Sequence, residues 1–150
     1  KQKIKRLYGV MERQFRNHFD EVRNVPGVTG DQLLGRLERR LDNVVYRLGF
    51  APSRVSGKQL VSHKMFEVNG KRMNIPSVEV HVVDIIALKA IKKDKTYFKN
   101  IAETLKNKKD VPHWLELDVE KMVGKVVALP TREDVGVHVD AQMVVEYYSK

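Results

Sequence analysis

The sequence contains no cysteine, one tryptophan and five prolines in 150 residues. Without cysteine, the chain has neither a disulfide framework nor a thiolate metal site. No apolar run approaches the ~18 residues of a membrane span, and no segment has the core of a signal peptide. We therefore expect a soluble protein of the cytoplasm that makes no membrane contact. Because the first residue is Lys1 rather than Met, we also expect residues to precede this segment.

The sequence is rich in positive charge, and the charge is unevenly placed. The 28 Lys and Arg against 19 Asp and Glu give a formal net charge of +9. Residues 1–72 carry this whole excess and hold ten of the eleven arginines, whereas residues 110–150 hold four basic and eight acidic residues. The guanidinium group can donate two hydrogen bonds to one phosphate. The first half therefore favours a nucleic-acid surface, and the acidic last third favours a protein partner or solvent.

Helical patterns come first along the chain and strand patterns later, which predicts an α+β fold. Apolar residues at three- and four-residue spacing predict helices over residues 4–19 and 31–48, the second ending at Gly49. A further helix is expected over residues 97–106. Alternating patterns predict strands at residues 78–82 and 115–119, and residues 85–88 and 123–129 are further predicted strands. We expect a helical domain over residues 1–49, completed by about residues 138–150, and a mixed domain over residues 50–137 with a small antiparallel sheet.

Charges on the predicted helix over residues 31–48 are segregated by sign. At 100° per residue, one flank of its apolar stripe carries arginines and the other carries acids. The arginines are Arg36, Arg40 and Arg47, and the acids are Asp31, Glu38 and Asp42. Ordinary solvated charges would more often mix the signs, so this pattern favours a binding edge.

A short helix and a tight hairpin follow. Pro52 and Ser53 open the helix, which extends to about Lys64, with Ser53 as its N-cap. Gly57 inside this helix indicates close packing against another backbone. Asn69 and Gly70 are the strongest dipeptide signal for a β-hairpin turn.

The sequence contains none of the common motifs of enzyme active sites or metal sites. The five histidines are scattered and no pair has metal-ligand spacing. There is no glycine-rich phosphate loop, nucleophile elbow or zincin motif. We therefore expect no enzyme activity, no catalytic residue, no metal site and no cofactor.

Several stretches together resemble a known family. These stretches are RLDNVVYRLGFAPSR at residues 40–54, QLVSHK at 59–64, VNGK at 68–71, LYGVMERQFRN at 7–17, WLE at 114–116 and EYYSK at 146–150. The first three resemble the αL RNA-binding motif, and the whole set is similar to the family of ribosomal protein four of the bacterial small subunit. Family members have a further N-terminal segment, bearing cysteines in some of them, which is absent here. Gly57 stands where the motif more usually has Ala.

The resemblance implies a protein of the small ribosomal subunit that binds a helix junction in the 5′ domain of small-subunit ribosomal RNA. It also implies nucleation of subunit assembly, an effect on decoding accuracy through a neighbouring small-subunit protein, and repression of its own messenger RNA. The motif carries RNA contact onto Arg40, Arg47, Ser53, Arg54, Lys58, Gln59, Ser62, His63, Lys64, Asn69, Gly70 and Lys71. Charge and spacing add Arg6, Arg13, Arg16 and Arg36 in the helical domain.

Two alternatives stay open at this point. One is a stand-alone αL module from an RNA-modifying enzyme or a ribosome-rescue factor. The other is a protein-interaction scaffold that meets a basic partner through its acidic last third. Aromatic residues such as Tyr8, Phe15 and Phe66 lie at core-like spacing, so recognition of RNA helices or junctions is expected rather than base stacking on single strands.

Overall fold

The structure is a computed structural model that describes residues 5–6, 8–22, 29–89, 101, 105–106 and 111–131. The chain divides into two compact units. The first comprises the described residues up to Arg39 together with Pro130 and Thr131, and the second comprises Arg40–Leu129. Arg39 ends the N-terminal stretch of the first unit, whereas the expected domain boundary is at Gly49. The expected contribution of residues 138–150 lies outside the described residues.

The first unit is helical. Residues 5, 6 and 8 are helical, and a break follows at Gly9, whose φ of +66° is left-handed. Helix α1 then runs over Glu12–Val22 and helix α2 over Thr29–Glu38. Among the described residues of this unit, the buried apolar side chains are Tyr8, Val10, Phe15, Phe19, Leu33, Leu34 and Leu37. The prediction of one helix over residues 4–19 is wrong at Gly9, and Met11 beside this break is 75% exposed rather than buried.

The strongest predicted helix, over residues 31–48, is two helices. Helix α2 ends at Glu38, and helix α3 runs over Leu41–Leu48 after Arg40 adopts an extended conformation with ψ 140°. The first backbone N–H groups of a helix lack intrahelical acceptors. Here Leu41 N donates to Val78 O over 2.8 Å and Asp42 N donates to Pro76 O over 3.1 Å. A distant segment therefore starts α3, and no local breaker marks this point in the sequence.

The second unit contains a five-stranded antiparallel sheet. Its strands are β1 (Phe66–Val68), β2 (Lys71–Met73), β3 (Ile85–Leu88), β4 (Leu115–Asp118) and β5 (Val123–Val126). They are arranged in the order β2-β1-β3-β5-β4. Val68 pairs with Lys71 across the turn at residues 69–70, which confirms the predicted hairpin. The strand expected over residues 78–82 is reduced to one bridge between Arg40 and Glu79.

Helices α3 and α4 (Arg54–Ser62) cover one face of this sheet. Their buried residues join alternate strand residues in one core, formed by Leu41, Val44, Val45, Leu48, Phe50, Val61, Phe66, Val80, Ile86, Leu88, Leu105, Trp114, Leu115, Met122 and Val126. Gly124 on β5 lies directly under the Leu48 side chain, so a Cβ atom there would collide with it. We call the face of the sheet that α3 and α4 cover the inner face.

Strand alternation places the neighbouring residues on the other side, which we call the outer face. Ile85 pairs with Lys125, and both are exposed. Val83 and Val127, just outside these two strands, are also exposed. The predicted helix over residues 97–106 lies mostly outside the described residues.

Candidate RNA-binding surface

Helix α4 is held tightly against helix α3. Its N-cap is Ser53, whose Oγ accepts a hydrogen bond from the Ser56 backbone N–H over 3.1 Å, as predicted. Gly57 is buried, and a Cβ atom there would lie 2.5 Å from the Asp42 carbonyl oxygen. The glycine thus serves close packing, as predicted, and its partner is helix α3. This contact fixes α4 as a rigid support for its polar side chains.

Arg54, at the first position of α4, is held by two residues of α3. Its Nε donates to Asn43 Oδ1 over 2.6 Å. Its guanidinium carbon lies 4.7 Å from the centroid of the Tyr46 ring, within the range of a cation–π interaction. The Arg47 guanidinium lies 5.8 Å from the same ring. Arg47 and Arg54, both predicted RNA contacts, are thus brought together around one tyrosine.

Arg40 occupies a different environment from the other predicted arginines. It is 1% exposed, and its Nε and Nη2 donate to the two carboxylate oxygens of Asp42 over 3.2 and 3.1 Å. Asp42 is also 1% exposed. Burial raises the pKa of the Asp42 carboxyl, while the charges of Arg40 and Lys58 and the hydrogen bonds from Arg40 and Asn43 act in the opposite direction. Arg40 therefore belongs to the interior, and we exclude it from the proposed RNA surface.

The acidic flank expected on one long helix is not an exposed face. Glu38, at the end of α2, is fully buried and accepts a hydrogen bond from the Tyr8 hydroxyl over 2.5 Å. Asp42 is buried on α3 with Arg40. The described acids of the segregated pattern therefore satisfy interior donors. The helical wheel was wrong here because the break at Arg40 places its two halves on different helices.

The rest of α4 presents polar side chains to solvent. Lys58 is half-buried, and Gln59 and Ser62 are exposed. Val55 is 77% exposed, and residues three and four positions apart share a helix face, so Val55 lies beside Lys58 and Gln59. His63 and Lys64 follow the last helical turn and are also exposed. These positions combine cations with short hydrogen-bonding groups on one helix and its C-terminal turn.

The hairpin turn directly follows β1, whose three residues span about 10 Å. Asn69 has φ 54° and Gly70 has φ 80°, as a tight two-residue turn requires. The Asn69 side chain donates to Asp84 Oδ1 over 2.9 Å and accepts from Ile85 N over 2.9 Å. Asn69 thus ties the turn to the start of β3, whereas Lys71 is exposed. Of the predicted turn residues, Lys71 supplies the charge.

The predicted arginines of the first unit lie on its helical segments. Arg6 is helical and exposed, and Arg13 and Arg16 are exposed on α1. Arg36 is half-buried in the last turn of α2. Arg13 and Arg16, three residues apart, share one face of α1.

Sequence reasoning missed the roles of Asn43 and Tyr46. Asn43 lies four residues before Arg47 and three residues before Tyr46, so it shares a helix face with each of them. That spacing could have marked them as neighbours. Their contact with Arg54 depends on the crossing of α3 and α4, which helical periodicity does not show.

The described residues can form hydrogen bonds and ion pairs with a polyanion but show no constellation for metal binding. No group of three or more His, Asp or Glu residues able to hold a metal ion occurs among them. No helix within the described ranges is long and apolar enough to cross a membrane.

Comparison with known families gives two matches that together cover residues 1–86. The profile of the ribosomal protein S4/S9 N-terminal domain matches residues 1–38, and that of the S4 domain matches residues 39–86. Small ribosomal subunit protein uS4 of Caldicellulosiruptor saccharolyticus is 53% identical over 150 residues, which are 100% of this chain and 72% of that protein. The chain belongs to the uS4 family. Other relatives include uS4 of Clostridioides difficile, 49% identical with the same coverage, and uS4 of Chloroflexus aurantiacus, 50% identical over 151 residues and 73% of its length.

Membership of the uS4 family confirms the resemblance inferred from the sequence and the α+β fold expected from it. The two family profiles meet between residues 38 and 39, beside the end of α2 and the boundary between the compact units. The uS4 relatives carry the name of a ribosomal protein rather than of an enzyme, in agreement with the absence of a recognisable catalytic motif.

Proposed function

We propose that this chain is a protein of the small ribosomal subunit that binds small-subunit ribosomal RNA directly through one surface of its second unit. We call this surface the basic face and define it as Arg47, Ser53, Arg54, Lys58, Gln59, Ser62, His63, Lys64 and Lys71. Family membership supports the function. The observation that carries the location is the rigid mounting of Arg54 and its neighbours on the α3–α4 pair.

The chemistry of the basic face suits folded RNA. The deep major groove of an RNA helix is closed to side chains, so proteins read its shape through phosphates and 2′-hydroxyls. Arginines and lysines provide the phosphate contacts, and Gln59 and Ser62 can exchange hydrogen bonds with sugars. A preorganised helix loses little conformational freedom on binding. The described aromatic residues Tyr8, Phe15 and Phe66 are buried, so base stacking on them is not part of the proposal.

The proposed target is the 5′ domain of the small-subunit ribosomal RNA, at a junction of helices. The resemblance to the family supports this choice. The exposed arginines of α1, Arg13 and Arg16, with Arg6 and Arg36, form a second proposed set of RNA contacts on the first unit. Two separate basic surfaces suit a junction, because a junction offers more than one helix to a single protein.

The proposal is tested by charge reversal on opposite faces of the second unit. Lys58→Glu changes the basic face, and Lys125→Glu makes the same change on the outer face of the sheet. Each phosphate contact contributes about 0.7–0.9 to the slope of log affinity against log salt concentration, if values for DNA apply to RNA. We expect Lys58→Glu to weaken binding to the 5′-domain RNA and to reduce this slope by about 1. Filter binding between 50 and 200 mM salt measures both quantities.

Two results would contradict the proposal. The first is a salt-independent affinity of the wild-type protein, or equal affinity for an unrelated hairpin RNA. The second is a loss of affinity in Lys125→Glu that matches the loss in Lys58→Glu, because the bound surface would then not be the basic face.

The same proposal extends to consequences that the family resemblance implies. Binding of the 5′ domain would nucleate subunit assembly, and the same surface would repress the protein's own messenger RNA. A neighbouring small-subunit protein would contact the acidic last third and influence decoding accuracy. The described part of that third exposes Glu116 and Asp118 on β4 and Glu120 after it, which suits a basic partner.

A competition experiment tests whether ribosomal RNA and the protein's own messenger RNA bind the same surface. We expect the leader of the protein's own messenger RNA to displace the 5′-domain RNA from the wild-type protein. We also expect Lys58→Glu to weaken the complexes with both RNAs. A variant that lost one complex and kept the other would show two different surfaces.

A further inference from the structure

Tyr46 is half-buried, and its ring is close to two arginines of the basic face. The Arg54 guanidinium is 4.7 Å from the ring centroid and the Arg47 guanidinium is 5.8 Å from it. Arg54 also donates a hydrogen bond from Nε to the side-chain oxygen of Asn43 over 2.6 Å. Asn43 is itself 1% exposed, so this oxygen has a fixed position. The Arg54 guanidinium group is therefore held at Nε by Asn43 and is also in contact with the Tyr46 ring.

We propose that Tyr46 and Asn43 are positioning residues for RNA binding, which act by fixing the plane of the Arg54 guanidinium before RNA arrives. This inference rests on the proposed function, because it assigns how one of the proposed contacts works. The two residues lie on α3, whereas Arg54 lies on α4. The packing of α3 against α4 thus orients the Arg54 side chain before RNA binds.

The physical basis is the cost of ordering a long side chain. An arginine on a solvated surface samples many rotamers and loses this freedom when it binds a phosphate. A hydrogen bond at Nε removes rotation of the guanidinium about its stem, and an aromatic face restricts its tilt. Arg54 therefore loses less freedom when it binds RNA than an unrestrained arginine would.

The first test compares two substitutions of Tyr46. Tyr46→Phe keeps the aromatic face, whereas Tyr46→Leu removes it and keeps an apolar side chain. We expect Tyr46→Leu to raise the Kd for the 5′-domain RNA by about 2- to 30-fold, the range expected for loss of one cation–π contact. Tyr46→Phe should bind within about twofold of the wild type. Equal losses in the two variants would overturn the proposal, because the hydroxyl rather than the ring would then matter.

The second test asks whether Tyr46 acts through Arg54. In the Arg54→Ala background, Tyr46→Leu should change the Kd by less than about twofold, the limit for independent sites. A purely structural role, or a direct contact of Tyr46 with RNA, would give the same loss in both backgrounds and would refute the positioning role. Thermal melting of each variant measures how much the fold itself is disturbed.

A third measurement needs no RNA. Ring currents of Tyr46 should shift the NMR resonance of the Arg54 Nε–H, and its hydrogen bond to Asn43 should slow exchange of this proton with water. Both features should persist in Tyr46→Phe, and the shift should be lost in Tyr46→Leu. An unshifted, rapidly exchanging Arg54 resonance in the wild type would overturn the positioning role whether or not RNA binding is observed. Failure of RNA binding with a shifted resonance would instead contradict the proposed function.

Discussion

Val83 is in a backbone conformation that valine rarely adopts, and this predicts a stabilising substitution. Residues 81–84 form a turn in which Asp84 N donates to His81 O over 3.0 Å. Val83, at the third position, has φ 72°. Turns with a positive φ at this position favour Gly or Asn, and a β-branched residue there is a genuine outlier. Val83 is 66% exposed, so packing does not compensate for much of the strain.

The magnitudes favour Val83→Asn over Val83→Gly. A residue held in the left-handed region costs about 1–3 kcal/mol. The buried third of the valine side chain contributes about 0.5–1 kcal/mol, scaled from the value for full burial. Asn tolerates the left-handed region, so Val83→Asn should raise the free energy of unfolding by about 0.5–2 kcal/mol. Gly adds about 0.5–1 kcal/mol of unfolded-state entropy, which leaves a smaller gain.

Thermal unfolding followed by circular dichroism tests this prediction. For a chain of this size, 1 kcal/mol changes the Tm by about 2–4 °C. Val82→Asn is the matched control, because Val82 is 39% exposed and Val83, not Val82, has the positive φ in this turn. We expect the control to lower the Tm slightly. A Tm of Val83→Asn at or below that of Val82→Asn would refute the reasoning.

Three further substitutions test the interior by chemical denaturation. Asp42→Asn leaves the buried Arg40 without its counter-charge and should destabilise the protein by about 3–5 kcal/mol, whereas Arg40→Met combined with Asp42→Leu should recover most of this loss. Gly124→Ala pushes a Cβ atom into Leu48 and should cost about 1–3 kcal/mol, while Lys125→Ala on the outer face should change little. Tyr8→Phe removes the donor to buried Glu38 and should cost about 1–3 kcal/mol, and an unchanged stability would show that this hydrogen bond contributes nothing.

Features with local causes could be predicted from the sequence. The turn at Asn69 and Gly70 needs only the left-handed preference of two residues, and it forms as expected. The Ser53 cap and the end of α3 at Gly49, with φ 98°, also depend on neighbouring residues alone. Strand β4 follows the alternation of apolar and polar residues, and β3 is a short apolar run.

Features with distant causes could not be predicted in this way. The start of α3 depends on the carbonyl groups of Pro76 and Val78, which lie more than thirty residues along the chain. Once the helix breaks there, Arg40 is drawn into the interior with Asp42, and a predicted RNA contact becomes a structural ion pair. The contact of Arg54 with Asn43 and Tyr46 needs the crossing of two helices. Periodicity within one helix contains none of this information.

The central claim is that RNA lies against the basic face of the second unit. Because the chain has no cysteine, a single introduced cysteine can carry a tethered iron–EDTA probe at one defined place. Val55→Cys places the probe on the exposed side of α4, and Lys125→Cys places it on the outer face of the sheet. With the 5′-domain RNA bound, hydroxyl radicals from residue 55 should cleave a localised set of nucleotides, and those from residue 125 should cleave the RNA weakly. Equal cleavage from both positions, or stronger cleavage from residue 125, would contradict the account.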